Sequence, residues 1–238
     1  MRVITKCTVD PDADPTWKLI DPNSGKTVKV VDARDLWTKI LTTRIETGEP
    51  YIAFIDTINN ELPYALADRG LKVRGSNLCS EITLPTAADR TAVCCLSSTN
   101  MEKWDEWKED PDFIYDLVAF LDNVLQYFIQ NAPSSMWRAV KSAKHERSIG
   151  LGAMGFHSLL QSKGIPFESA MATSLNRKIF RHIYEMAAAA SKDLANIRGE
   201  APDLQGTGMR NAHLIAVAPN ASSSLLCGGV SPSIEPYR

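Results

Sequence analysis

The stretch Ser76-Asn77-Leu78-Cys79-Ser80-Glu81-Ile82 sets an amide, a thiol and a carboxylate at alternate positions. In an extended segment successive side chains alternate faces, so Asn77, Cys79 and Glu81 would point one way and Leu78, Ser80 and Ile82 the other. One face then carries a thiol or thiyl, a general base and a hydrogen-bonding amide, and this set implies no metal. The plainer alternative is a strand edge with a cysteine there by chance.

Three further stretches bear on chemistry. Cys94 and Cys95 are vicinal within the β-prone run Thr91-Ala92-Val93-Cys94-Cys95-Leu96. If extended, they face opposite ways, and either could be a small buried hydrophobe. The apolar run Leu214-Ile215-Ala216-Val217-Ala218 leads into Pro219-Asn220-Ala221-Ser222-Ser223-Ser224. A buried strand ending in such a loop before a helix start offers N–H groups and hydroxyls to an anion such as phosphate, although a Ser-rich turn reads the same way. Glycines 150, 152 and 155 match G-x-G-x-x-G only in part, because the third falls one place early. Close helix packing or backbone approach to a substrate explains them better than a dinucleotide fingerprint.

The elements that must position these groups are helices and short strands. Residues 1–31 are rich in Pro, Asp and Lys, with turn signals at Asp10-Pro11, Asp14-Pro15 and Asp21-Pro22-Asn23-Ser24-Gly25. They read as an irregular extension with a short strand over Val28–Val31, and residues 32–238 as the folded domain. Asp32 is placed to cap a helix carrying Leu36, Trp37, Ile40, Leu41 and Ile45, with Gly48 closing it. Tyr51–Asp56 reads as a buried strand, residues 59–75 as an irregular connection, and Thr91–Leu96 as a second buried strand. Residues 101–131 are helical, with an apolar stripe of Phe113, Leu117, Phe120, Leu121, Val124, Leu125 and Phe128 that belongs to a core. Further helices are predicted over Ser134–Lys144 and Glu168–Ile197.

Composition narrows the class. The 238 residues are 44% hydrophobic and 23% charged, as in ordinary globular proteins, and the net charge of −2 gives no basic footprint for nucleic acid or membrane. No apolar run approaches the roughly 20 residues of a membrane span, and the start has no apolar signal core. Five cysteines without a CxxC pair do not suit a secreted disulfide framework. A reducing, cytoplasmic setting is expected, where a disulfide would be catalytic.

Taken together, several blocks resemble the ribonucleotide reductase catalytic (large) subunit. They are Ser76–Ile82 with Leu84-Pro85-Thr86, Ala92–Ser97, Arg147–Phe156, Gly208-Met209-Arg210-Asn211, Pro219–Ser224 and Ile234-Glu235-Pro236. They occur in the family's order and are most like aerobic viral or bacterial enzymes. The resemblance implies an α/β fold, helix-rich, forming part of a ten-stranded α/β barrel with a central finger loop. It implies that Cys79 is the transient thiyl that abstracts the substrate's 3′-hydrogen, Glu81 the general base at the 3′-hydroxyl, and Asn77 the group that orients them, with Ser76 a further substrate contact. Cys94, or by a one-residue shift Cys95, would belong to the dithiol that reduces the 2′-carbon. Pro219, Asn220, Ala221, Ser222 and Ser223 would cradle the substrate phosphates.

The same resemblance implies a ribonucleoside diphosphate substrate, thioredoxin or glutaredoxin as reductant, and a homodimer when complete. No cofactor is expected on the chain itself. The radical would come from a metal-containing small subunit, or alternatively from adenosylcobalamin, although Leu78 and Ser80 around Cys79 favour the former. The chain is shorter than such a subunit and lacks the dithiol's partner cysteine, the nucleotide-binding cone and the tyrosine pair that passes the radical. Its ending at Ser231–Arg238 reads as an interruption within a longer protein. Missing large-subunit segments are therefore expected partners, and the isolated chain is expected to be inactive and poorly soluble; the thiyl site is expected to be buried and dry, at a loop tip inside the barrel. A non-catalytic assembly or nucleotide-binding fragment is the alternative from another class.

Overall fold

A computed structural model describes residues 14–237. These form two compact units, divided between Glu61 and Leu62. Cys7 lies outside the described residues.

In the first unit β1 (Thr16–Ile20) and β2 (Thr27–Asp32) form an antiparallel hairpin, with Thr16 opposite Asp32. The connecting turn is built by Asp21, whose carboxylate accepts from the Asn23 N–H (2.9 Å) and the Ser24 hydroxyl (2.6 Å). This corrects the irregular reading of the region: the turn signals close a hairpin instead of interrupting structure, because Asx side chains bond their own following backbone. The hairpin runs directly into α1 (Ala33–Thr47). Asp32 caps α1 by accepting from the Arg34 and Asp35 N–H groups at 2.8 and 2.9 Å, and Gly48 closes it with φ of 79°. Ala33 is the one buried apolar residue of this unit among the described residues.

Tyr51–Asp56 is not a strand. Tyr51 and Phe54 are exposed, and α2 (Ile55–Asn60) begins inside the run. A short apolar run does not distinguish strand from helix, and here Ile55 and Ile58, both half-buried, keep helical spacing. In the second unit α3 (Tyr64–Asp68) lies within the expected irregular connection and buries Leu66.

The second unit holds the core. β3 (Leu96–Asn100) pairs in parallel with β4 (Gly150–Met154), Leu96 opposite Gly150 and Asn100 opposite Met154. The second strand therefore starts where the Thr91–Leu96 run ends, and residues 91–95 approach it as irregular chain. On its other side β4 pairs in parallel with residue 215: the Leu151 N–H donates to the Leu214 carbonyl (2.7 Å) and the Ala216 N–H to the Leu151 carbonyl (3.3 Å). The expected strand at 214–218 is thus a single bridge. It is still a third parallel segment beside β4.

Parallel neighbours require crossovers, which are helical. Between β3 and β4 come α4 (Trp104–Trp107), α5 (Phe113–Asn131) and α6 (Trp137–Glu146). After β4 come α7 (Phe156–Ser162), α8 (Ala170–Arg198) and, later, α9 (Ser223–Leu226). α5 packs along α8, burying Ile114, Val118, Leu121 and Leu125 with Ile179, Ile183, Ala187 and Leu194. The predicted apolar stripe on α5 faces this core only in part, since Phe120 and Val124 are exposed.

One buried carboxylate ties the crossovers to the sheet. Asp122 of α5 accepts from Arg147 Nε (2.6 Å), Arg210 Nε (2.8 Å) and Arg198 Nη1 (2.9 Å), and Asn211 bridges it to the Arg147 carbonyl. Burial alone would raise the Asp122 carboxyl, but hydrogen bonds from Arg147 and Arg210 outweigh it and hold the group below the usual carboxylate range. Arg147 is the left-handed residue (φ 44°) that ends α6 and starts the chain into β4.

The glycines of β4 serve strand packing, not helix packing. A Cβ on Gly150 would collide with the Leu96 side chain and lie 2.7 Å from Ala216 Cβ; one on Gly152 would collide with the Ala216 carbonyl oxygen. Because that obstacle is backbone, Gly152→Ala is expected to cost about 1–3 kcal/mol as overpacking, read as a lowered denaturation midpoint. Asp122→Ala leaves Arg147 and Arg210 buried without their partner and is expected to cost about 3–5 kcal/mol in the same assay.

Candidate radical and acid–base site

The loop 76–82 is anchored at its base. The Thr86 N–H donates to the Lys72 carbonyl (3.2 Å), and the Arg74 guanidinium donates to the Thr86 carbonyl. Ile82 and Leu84 are buried against Ala216, with Ala92 and Leu96 alongside. The β3–β4–215 layer is therefore the floor of the loop.

The loop itself is a turn, not the extended segment expected. The Ser80 N–H donates to the Asn77 carbonyl, the Asn77 N–H to the Ile82 carbonyl, and Ser80 has φ of 68°. Asn77 explains the difference: its side-chain oxygen takes the Ile82 N–H (3.0 Å), a local bond that competes with strand pairing. Its Nδ2 donates to Glu81 Oε2 at 2.7 Å. The amide and the carboxylate do meet, but across a turn and not along one strand face. Cys79 lies at the exposed tip beside Leu78, which is 91% exposed. The dry setting expected of a radical site is not supplied by these residues. Ser76 is exposed, and its hydroxyl donates to the Asn77 carbonyl (3.0 Å).

The vicinal cysteines have different surroundings. Cys94 is exposed, and its thiol is pushed up by partial burial first and then by the negative charges of Glu81 and Cys79. It therefore stands within electrostatic reach of both loop groups. Cys95 is buried, its Sγ 3.6 Å from the Leu121 carbonyl, and burial pushes it up to about 11. That environment keeps it a protonated thiol within the core.

The loop 219–223 adjoins the same layer. Asn220 is fully engaged: Oδ1 accepts from the Ser98 hydroxyl (2.9 Å), and Nδ2 donates to the Ala153 (3.1 Å) and Ala218 (2.8 Å) carbonyls. It pins the loop to β3 and β4. Ser222 and Ser223 are exposed, and their hydroxyls make no hydrogen bond among the described residues. Pro219 and Ala221 face a neighbouring cavity of about 190 Å³ that also reaches Glu235 and Tyr237.

Sequence reasoning missed one set of groups. Glu146, Ser148 and His213 form a chain of hydrogen bonds: Ser148 Oγ is 3.1 Å from Glu146 Oε2 and 2.9 Å from His213 Nδ1. Burial pushes the Glu146 carboxyl up to about 7 and the His213 imidazole down to about 4. Glu146 and Ser148 are near neighbours in the chain, but nothing in their spacing reveals that His213, 65 residues on from Ser148, closes on them. Among the described residues, no group of three His, Cys, Asp or Glu is placed to hold a metal ion, and no helix is long and apolar enough to cross a membrane.

The family model described as "Ribonucleotide reductase, barrel domain" matches residues 12–207 and 202–238. A Frog virus 3 protein is 59% identical over 223 residues, which are 92% of this chain and 39% of that protein. The ribonucleoside-diphosphate reductase large subunit of Invertebrate iridescent virus 3 is 52% identical over 222 residues, covering 93% of this chain and 35% of the relative. The Actinobacillus ureae class Id ribonucleotide reductase alpha subunit has a structure similar to this one. Its TM-score is 0.83 at 42% identity, and the match covers 86% of this chain and 39% of that one. The chain thus spans well under half the length of these relatives. Its parallel strands with helical crossovers are part of an α/β barrel, and the chain belongs to the ribonucleotide reductase barrel-domain family.

Proposed function

We propose that this chain is the catalytic-site portion of a ribonucleoside-diphosphate reductase large subunit, which reduces ribonucleotides to 2′-deoxyribonucleotides for DNA synthesis. The observation that carries this reading is the arrangement of Cys79, Glu81 and Cys94. Asn77 holds Glu81 at 2.7 Å on the turn that presents Cys79, and Cys94 feels the charge of both. Cys79, as a thiyl, takes the hydrogen atom from C3′ and becomes a thiol. Glu81 takes the 3′-hydroxyl proton. The 2′-oxygen leaves as water with a proton from the dithiol. The second thiol's hydrogen goes to C2′ as the pair gives up two electrons and becomes a disulfide, Glu81 returns its proton to the 3′-oxygen, and Cys79 returns its hydrogen atom to C3′ and is again a thiyl. Cys94, not Cys95, is the dithiol member that fits, because its thiol is accessible on the loop side. Its partner thiol comes from polypeptide outside the described residues.

Ser222 and Ser223, with the loop pinned by Asn220, suit a diphosphate: two exposed hydroxyls on a backbone that does not have to reorganise. The exposed tip at Cys79 requires substrate and further large-subunit polypeptide to exclude water. The radical is supplied by a separate metal-containing small subunit, a source favoured over adenosylcobalamin by Leu78 and Ser80 beside Cys79. A thioredoxin or glutaredoxin in the cytoplasm restores the dithiol, and the completed large subunit is a homodimer.

The test uses the chain complemented by the remaining large-subunit segments, a small subunit and a dithiol reductant. Cys79→Ser is expected to reduce deoxynucleotide formation to background, Cys94→Ser to stop reductant-dependent turnover, and Cys95→Ser to retain it. Full activity of Cys79→Ser would overturn the radical assignment. Loss with Cys95→Ser but not Cys94→Ser would exchange the two thiols.

A further inference from the structure

A cavity of about 50 Å³ beside the loop is lined by Glu81, Cys95, Ser148 and His213, with Ile82, Ile149 and Ala216 among its apolar walls. It is large enough for an ordered water, and Glu81, Ser148 and His213 give such a water the two or more polar partners it needs. Behind it Ser148 joins His213 to Glu146, which is 1% exposed and whose Oε1 has no hydrogen-bond partner among the described residues. We infer that His213, Ser148 and Glu146 form a proton relay that connects the loop carboxylate Glu81, through the cavity water, to a buried proton store. The inference rests on the reading of Glu81 as the acid–base group.

The transfer balances without any charged intermediate on the imidazole. With Glu146 ionised, His213 Nδ1–H donates to Ser148 Oγ, and Ser148 Oγ–H donates to Glu146 Oε2. A proton leaving Glu81 passes through the water to His213 Nε2. The Nδ1 proton moves to Ser148 Oγ, and the serine's own proton moves to Glu146 Oε2. One proton has left Glu81, one has arrived on Glu146, and His213 has changed from its Nδ1–H to its Nε2–H tautomer while remaining neutral. The reverse sequence returns the proton.

The surroundings suit these roles. Burial leaves the Glu146 carboxyl at about 7, able to hold or release a proton at neutral pH, with Arg90 favouring the ionised form and Asp203 opposing it. Asp203 is itself paired with Arg90 at 2.6 Å and faces Arg69 and His145. Burial holds His213 at about 4, so it shuttles as a neutral ring instead of storing charge. Cys95, the other titratable group on the cavity, stays a thiol at about 11 and does not compete. A purely structural network would hold one tautomer and one protonation state throughout.

The test is spectroscopic and needs no turnover. On the full chain with ¹⁵N-labelled histidine, the His213 ring nitrogens are followed by NMR while infrared spectra follow the carboxylic-acid stretch of Glu146. Below the Glu146 midpoint of about 7 the Nε2–H tautomer is expected, and above it the Nδ1–H tautomer, both signals changing with one midpoint. Glu146→Gln should remove the acid stretch and the tautomer switch together, and Ser148→Ala should uncouple the two signals. Glu81→Gln should displace the Glu146 midpoint. A His213 tautomer that stays fixed through the Glu146 titration would overturn the relay. So would coupling that survives Ser148→Ala, or, should that variant not fold, a switch that persists in Glu146→Gln. If the relay signals appear while Cys79→Ser remains active in the complemented enzyme, the radical reading fails and the relay stands. The opposite pair of results removes the relay alone.

Discussion

The buried carboxylate of Asp122 is the constraint on which the rest of the second unit depends. Arg147 ends α6 and turns the chain into β4, and Arg210 with Asn211 turns the chain after α8 toward the third parallel segment. Both turns are fixed by the same two oxygens on α5. Two guanidiniums and a carboxylate in a nearly dry place are costly to desolvate, and such a cluster is weak evidence for stability as such. Its value is geometric. Breaking any pair strands a charge, so the chain directions of β4 and of residues 213–216 have few alternatives.

Those two segments are the floor under the loop. Leu151 of β4 is fully buried, and the glycines on either side of it let the layer close on Leu96 and Ala216. Ile82 and Leu84 rest on this layer and leave the tip of the loop projecting. The exposed turn is thus carried on a packed base. The vicinal thiols divide along the same surface. Cys94 is exposed and feels the loop's charge, whereas Cys95 is buried, with its Sγ against the Leu121 carbonyl of α5 and on the cavity that Glu81 also lines.

The sequence carried a good deal of this. Asp32 and Gly48 mark the ends of α1 because capping and left-handed closure are local chemistry that the residues perform unaided. The long helix α8 follows from spacing alone, whereas the spacing on α5 gave the helix and only part of its buried face, Leu121 and Leu125 but not Ile114 and Val118. The members of the loop site were visible for a different reason: an amide, a thiol and a carboxylate cluster within a few residues of chain. Local reasoning failed where two local options compete. Tyr51–Asp56 is apolar enough for either strand or helix. Asn77–Glu81 alternates like a strand, yet Asn77 bonds its own backbone and folds the segment into a turn.

By itself, then, the sequence determined which residues could do the chemistry, the caps and long helices of the scaffold, and through the order of its blocks the family to which the chain belongs. Only the tertiary structure decided that Asn77 reaches Glu81 across a turn, that Cys94 and not Cys95 shares the loop's field, and that Glu146, Ser148 and His213 meet behind it. The physical reason is sequence separation. Caps and periodicity are settled within a few residues, but desolvation, charge pairing and the facing of a thiol depend on neighbours brought in from far along the chain, here by parallel strands whose crossovers are whole helices.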